Sequence, residues 1–290
     1  MPVAVDFSYE PFSREPEYVE VNRLFTDSLT LGHCENVLDL ACGTGTVTAM
    51  ILDALEAADG PAGTRRQVIG LDLSRDALLL ARQFLADAGH APSATGHLQA
   101  SADALPLPRA SMDAVIIGNA IQLVENKEGL VSEVSRVLRP GGLFAFNTSF
   151  YAGAYVATTE RFYHRWLEEA LLYLKREDQE RRRSGRPGIV RKKGQAKPAF
   201  SNRWLSAAEY IALLGRFGLA AQQTSERTVM LNRRCFESIG SYAGLASVLL
   251  SGYPIAEACE ALSAGTQKAL DDAGLDAVPR RWLEMIAVKQ

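Results

Sequence analysis

The chain has few cysteines, no excess of charge of either sign and no long apolar run. Its 290 residues include 4 cysteines, at Cys34, Cys42, Cys235 and Cys259. None forms a Cys-x-x-Cys pair, and no Cys/His cluster has zinc-site spacing. This excludes a disulfide-stapled miniprotein and predicts reduced thiols in a cytoplasmic protein. Lys and Arg total 31 against 34 Asp and Glu, a formal charge of −3. Dedicated nucleic-acid binders carry a clear basic excess, so nucleic acid is not the expected partner. No window of about 18 apolar residues is present, so no membrane span is expected. The opening MPVAVDFSYEPFSREPEYVE lacks a basic stretch followed by an apolar one, and no secretory signal is read there. With 47% hydrophobic and 22% charged residues, the composition is ordinary for a globular chain.

The first half alternates strand and helix patterns. Apolar runs at 36–41, 67–73, 97–101, 113–118 and 143–148 read as buried strands. Between them, Val47, Met50, Ile51, Ala54, Leu55 and Ala58 recur at helical spacing. A turn-rich DGPAGTRR follows. Residues 74–88 read as a helix capped by Ser74 and closed by Gly89, and 127–138 as a helix ended by a Pro140-Gly141-Gly142 turn. Strand–helix repeats with continuously apolar strands predict a doubly wound parallel sheet. The second half reads as a helix at 155–183, a Gly/Pro/Lys/Arg loop at 184–200 and a helix at 204–217. A strand at 224–231, helices at 235–250 and 255–273 and a last strand at 282–288 complete it.

The segment VLDLACGTGTVTAMI, residues 37–51, carries the chemistry. A strand ends at Asp39-Leu40-Ala41, and a helix starts near Thr46. Between them Gly43 and Gly45 adopt backbone angles closed to other residues and let a ligand lie against the main chain. The helix start offers free N–H groups and a positive dipole end. A nucleotide-type ligand and a bare tight turn both fit this loop. A diphosphate-binding dinucleotide turn needs a third glycine where Thr48 stands, and is disfavoured. Asp72, ending the second strand in GLDLS, either accepts both hydroxyls of a ribose or caps the next helix. In SADALPLP, Asp103 either accepts the exocyclic amine of an adenine or caps a turn. Asn119 either borders the crevice or merely ends the fourth strand.

Four stretches in order, DLACGTGT at 39–46, GLDLS at 70–74, SADALPLP at 101–108 and SRVLRPGGLFAFNTS at 135–149, carry a resemblance. Residues 36–149 resemble a class I S-adenosylmethionine-dependent methyltransferase, particularly the small-molecule enzymes of the ubiquinone/menaquinone type. The resemblance implies a seven-stranded, mostly parallel Rossmann-like α/β sheet with an antiparallel last strand and an inserted helical cap. It implies S-adenosylmethionine as cofactor, S-adenosylhomocysteine as product and no metal. It places Ala41, Gly43, Thr44 and Gly45 along the methionine and ribose, and Asp39 toward the amino group. Asp72 and Leu73 fall at the ribose, Ala102, Asp103 and Ala104 at the adenine, and Asn119 and Ile121 near the transferable methyl. Many relatives carry histidine where this chain has Gln122, so no base is carried over.

The expected layout is an N-terminal lid at 1–31, a cofactor-binding core at 32–150 and a helical substrate region with the last strands at 151–290. Phe7, Tyr9, Phe12 and Tyr18, with Val21, Leu24 and Phe25, serve either as an aromatic lid or as core, and Tyr151 and Tyr155 follow the fifth strand. This lining suits a small lipophilic or aromatic acceptor. His33 and His90 are expected at the surface and His97 in a structural role. His164 is the one histidine placed to approach a pocket, and no base is assigned. Residues 175–197 hold 10 Lys/Arg and 3 Asp/Glu, so this segment is +7 and the remainder −10. It is either a solvated helix end or a contact for an anionic substrate, an acidic carrier protein or, in a rival reading, RNA or protein substrates. A cofactor-binding protein without transferase activity is the other rival.

Overall fold

The computed structural model describes residues 9–58, 66–192 and 204–290. Phe7, most of DGPAGTRR and the end of the basic loop lie outside the described residues. In chain order the elements are α1 (Glu10–Ser13), α2 (Pro16–Asp27), β1 (Asn36–Leu40), α3 (Thr46–Ala57), β2 (Gln67–Asp72), α4 (Arg75–Asp87), β3 (Thr95–Gln99), β4 (Met112–Gly118), α5 (Lys127–Val137) and β5 (Leu138–Thr148). There follow α6 (Glu160–Arg183), α7 (Ala207–Arg216), β6 (Leu219–Asn232), α8 (Arg233–Gly240), α9 (Ala243–Leu249), α10 (Ile255–Ala273) and β7 (Ala277–Lys289).

The strands form one seven-stranded sheet in the order β3-β2-β1-β4-β5-β7-β6. β1, β2, β3, β4 and β5 pair in parallel, and β7 runs antiparallel to β5. Strand order reverses between β1 and β4, the switch point where open α/β sheets leave a crevice at their carboxyl ends. Alternation along the strands sorts side chains to two faces. Leu38, Leu40, Val115, Ile117, Phe144 and Phe146 pack with α5 and α7 on one face. Val37, Ala114, Ile116 and Ala145 pack with Phe25 of α2, with Val47, Ile51 and Leu55 of α3 and with Leu85 of α4 on the other.

Local sequence explains most element ends. Ser74 Oγ accepts the Ala77 N–H at 3.2 Å to cap α4, and Gly89 closes it at φ +87°. Ser206 and Glu209 form a reciprocal capping box on α7. Asp113 accepts the N–H groups of Glu35 and Asn36, each at 2.9 Å, and fixes the start of β1.

Several expectations need correction. The Pro140-Gly141-Gly142 turn does not separate helix from strand. It lies inside β5, where pairing with β4 jumps from Met112↔Leu138 to Ala114↔Leu143. Gly141 at φ +77° lets the strand bulge rather than break. The single helix expected at 235–250 is two, α8 and α9, because Ser241 and Tyr242 close one and start the other. The last two strands run longer than their apolar cores suggested, at 14 and 13 residues. His90 is not a surface residue: its side chain is 8% exposed, with Asp53 at 3.7 Å and Glu56 at 3.8 Å. All four cysteines are free and buried.

The chain divides into two compact units. The sheet unit holds residues 19–154, 204–227 and 282–290, and the helical unit holds 1–18, 155–203 and 228–281. Within the helical unit α6 packs along α10. Trp166 Nε1 donates to the Leu262 carbonyl at 2.7 Å, and Gly265 lets the helices approach so closely that a Cβ there would sit 3.1 Å from the Ala170 nitrogen. Phe162, Trp166 and Phe236 pack against one another, as do Tyr9, Phe12 and Tyr18. Phe12 and Tyr18 are thus core residues of this unit. No described helix is long and apolar enough to cross a membrane.

Gly118, ending β4, has no room for a side chain: a Cβ there would lie 2.5 Å from Val47 Cγ2 on α3. Gly118→Ala is expected to destabilise the protein by about 1–3 kcal/mol through overpacking. Adding Val47→Ala should recover part of that loss, a coupling readable from urea midpoints of the single and double variants. Strict additivity would remove the assigned contact.

Candidate functional site

The carboxyl end of β1 brings three left-handed residues together in five positions. Ala41 has φ +61°, Gly43 +54° and Gly45 +89°. A non-glycine residue with such an angle is uncommon and is held there by its surroundings. Around Gly43 the space next to a hypothetical Cβ is open to 4 Å, whereas at Gly45 Ala81 of α4 would stand 3.1 Å away. The first glycine thus leaves the main chain uncovered, and the second lets α3 and α4 pack. The turn is tied to the next strand: Asp72 Oδ2 accepts the Gly43 N–H at 2.9 Å and Oδ1 the Ser74 N–H at 2.8 Å. Each carboxylate oxygen keeps acceptor capacity beyond these bonds. Leu73 beside it is 72% exposed.

Asp39 lies beneath this loop and is 1% exposed. Strand alternation points it away from Leu38 and Leu40 toward α3, where Thr48 Oγ1 donates to its Oδ2 at 2.5 Å. Its Oδ1 is buried with no hydrogen-bond partner among the described residues. Burial pushes the Asp39 carboxyl up to about 7, against a smaller opposing effect of the Thr48 bond, and the Asp72 charge adds to the rise. Thr48, which entered the sequence reading only as a missing glycine, is therefore the residue that anchors the buried acid. Its place in the first turn of α3 was the available signal.

The other expected positions divide. Asp103 lies in the loop after β3, where Ser101 Oγ donates to Oδ1 and Asn126 Nδ2 to Oδ2 at 3.3 Å. The Ser101 bond chiefly holds its carboxyl below the usual range. Ala102 and Ala104 share that loop, and the Ala104 N–H donates to the Ser101 carbonyl. Asn119, at φ +48°, turns the chain out of β4, and its Oδ1 accepts the Ser149 N–H at 2.8 Å. Ile121 is 1% exposed and packs in the core between the sheet and α5. Asn119 and Ile121 thus shape the ends of β4 and β5.

A buried polar network that the sequence reading missed occupies the same strand ends. Asn147 Oδ1 accepts the Asn119 N–H at 2.8 Å, and Asn147 Nδ2 donates to Asn22 Oδ1 of α2 at 2.9 Å. Gln122 Nε2 donates to the Asn119 carbonyl at 2.7 Å, while its Oε1 accepts from Thr148 Oγ1 at 2.8 Å. Gln122 spends both ends of its amide on structure. The signal was a cluster of amides and hydroxyls, Asn147-Thr148-Ser149, at the end of an apolar strand. His164 is exposed on α6.

In the described part of the basic segment, two arginines are paired with nearby carboxylates. Arg181 bonds Glu177 at 2.7 Å and Glu257 at 2.8 Å, and Arg182 bonds Asp178 at 2.9 Å.

The buried acid makes a pH prediction. The folded Asp39 carboxyl, near 7, sits above its ordinary 3.8, so the folded protein holds a proton that the unfolded chain releases between those values. Its contribution to stability therefore falls as pH rises through that window and levels off above about 7. Asp39→Asn should grow more stable relative to the parent between about pH 4 and about pH 7, read by urea denaturation. A pH-independent difference would contradict a raised carboxyl.

Comparison with known proteins agrees with this geometry. Residues 38–146 match the family described as "Methyltransferase domain". The demethylmenaquinone methyltransferase of Symbiobacterium thermophilum is 38% identical over 110 residues, spanning 38% of this chain and 41% of that protein. The ubiquinone/menaquinone biosynthesis C-methyltransferase UbiE of Hahella chejuensis is 36% identical over 107 residues, 37% of this chain and 40% of that protein. The chain thus covers about two fifths of the length of these relatives. Among solved structures, the YcgJ protein of Bacillus subtilis superposes with a TM-score of 0.56 at 16% identity, covering 93% of this chain and 98% of that one. That likeness concerns the fold alone. With its motif order, sheet topology and family match in agreement, the stretch 38–146 is a methyltransferase domain, similar in sequence to the demethylmenaquinone and ubiquinone/menaquinone methyltransferases.

Proposed function

We propose that this chain transfers a methyl group from S-adenosylmethionine to a small lipophilic or aromatic metabolite. The observation that carries the reading is the buried Asp39 with an unpartnered Oδ1 beneath an uncovered glycine turn. An orphaned acid in that position fits a ligand bearing an ammonium group, and bare main chain at Gly43 fits a ligand laid against it. The residues present therefore suit S-adenosylmethionine. When bound, the cofactor supplies a methyl already activated by its sulfonium.

In this reading Asp39 holds the cofactor's ammonium, directly or through water. Ala41, Gly43, Thr44 and Gly45 give a main-chain surface for its methionine and ribose. Asp72 accepts the ribose hydroxyls with the lone pairs left by Gly43 and Ser74, and Leu73 flanks them. Ala102, Asp103 and Ala104 border the adenine. Asn119 and Ile121 set the strand ends near the transferred methyl. Holding two reactants in line contributes up to roughly 7–11 kcal/mol in well-aligned reactions, so positioning suffices without a metal or covalent intermediate. The similarity to demethylmenaquinone and ubiquinone/menaquinone methyltransferases supports a small, lipophilic acceptor. The pairing of Arg181 and Arg182 with neighbouring carboxylates is consistent with this rather than with an RNA or protein acceptor.

Labelled cofactor offered with a panel of phenols, quinols and short-chain acids tests the activity. Transfer to a lipophilic ring compound is expected. Cofactor binding with no acceptor labelled would instead mark a binding protein.

Two binding predictions accompany the assay. Asp72→Ala should weaken S-adenosylhomocysteine binding by about tenfold or more in calorimetry, since charge-assisted bonds carry roughly 1.5–3 kcal/mol each. Unchanged affinity would remove Asp72 from the site. An ammonium beside Asp39 favours its ionised form, so binding releases a proton and affinity should rise as pH climbs toward and past about 7. Asp39→Asn should bind more weakly and lose that slope.

A further inference from the structure

Beside the edge strand β3 lies a cavity of about 410 Å³, lined by Arg75, Leu78, Leu79 and Arg82 of α4 and by His97 and Gln99 of β3. Spacings of three and four residues put the four α4 side chains on one helix face. Arg75 and Arg82 are exposed, and neither has a hydrogen-bond or ion-pair partner among the described residues. The helix neighbours of Arg82 at three and four residues' distance are Leu78, Leu79, Leu85 and Ala86, so the helix offers it no carboxylate. Asp72, three residues before Arg75, already accepts from Gly43 and Ser74. No carboxylate lines the cavity, and the acids nearest its His90 wall, Asp53 and Glu56, face that histidine at 3.7 and 3.8 Å.

His97 lines the same cavity, and among the described residues its buried Nε2 has no hydrogen-bond partner. Burial and, after it, the nearby Arg82 charge depress the His97 pKa, so positive charge here is felt rather than compensated.

We propose that this cavity binds a phosphate ester, its phosphate held by Arg75 and Arg82 beside His97 and its apolar alcohol part laid on Leu78 and Leu79. Two guanidinium forks present more donors than the two oxygens of a carboxylate comfortably accept, whereas a phosphate offers three terminal oxygens. The apolar floor, with Leu79 itself 57% exposed, favours an ester over the free ion. The site stands apart from the S-adenosylmethionine reading and does not depend on it.

The test is a titration of the whole chain with butyl phosphate and with inorganic phosphate at constant ionic strength, followed on the His97 ring signals by NMR. Sodium chloride serves as the control. Butyl phosphate is expected to shift the His97 signals saturably and to raise the His97 pKa, with inorganic phosphate binding more weakly. Arg82→Gln and Arg75→Gln change exposed residues and should keep the parent melting temperature. Each should weaken butyl phosphate about tenfold, the loss of one charge-assisted contact. Leu79→Ser should weaken butyl phosphate and leave inorganic phosphate unchanged. Equal binding of the two phosphates would overturn the ester. Shifts matched by chloride, or undiminished affinity in both arginine variants, would overturn the site.

Discussion

The Asp72 carboxylate accepts one N–H from the turn after β1, at Gly43, and one from the start of α4, at Ser74. It therefore fixes the separation of two strand ends that the chain itself connects only through α3 and a loop. With that separation fixed, the left-handed backbone at Ala41, Gly43 and Gly45 is over-determined and holds its shape. The same anchoring keeps α3 over Asp39, where Thr48 can reach it. This hydrogen-bonded acid thus reinforces, beside the β1–β2 pairing and the Cys42 N–H to Leu71 carbonyl bond, the turn above the buried acid.

That burial sets the electrostatics of the site. Asp39 is surrounded by apolar strands and helices, and only one of its oxygens is bonded inside the protein. A carboxyl in this setting stays protonated to higher pH than usual, and becomes a strong partner for a cation that displaces its proton. The polar network of Asn22, Asn119, Gln122, Asn147 and Thr148 is a different case: its members bond one another, so it rigidifies the ends of β4 and β5. Buried polar groups at neighbouring strand ends therefore do different work. One carboxyl is left with an open oxygen, and the amides beside it are engaged with each other.

Much of the sheet was legible because its signals are local. Continuous apolar strands, Ser74 as a cap and Gly89 as a stop all act within a few residues of themselves, and the structure bears them out. The signals that misled were also local. Pro140-Gly141-Gly142 has turn chemistry, but pairing with β4 recruits it into a bulged strand. His90 follows a helix in a turn-like context, but Asp53 and Glu56 of α3 enclose it. For the arginine run of α6 the local pattern left a solvated helix end and a partner contact both open, and in the structure Glu257 of α10 and acids one turn away on α6 absorb part of its charge.

The order of strands and helices, the glycine turn and the identity of the acids near it were determined by the amino-acid sequence, because they depend on periodicity, backbone freedom and residue type. Only the tertiary structure decided which polar atoms are satisfied. Thr48 meets Asp39, Asn147 meets Asn22, and His97 Nε2 meets nothing, and each outcome depends on which elements pack side by side. Burial and partnership are properties of the packed neighbourhood, and a residue's neighbours in space are not its neighbours in the chain.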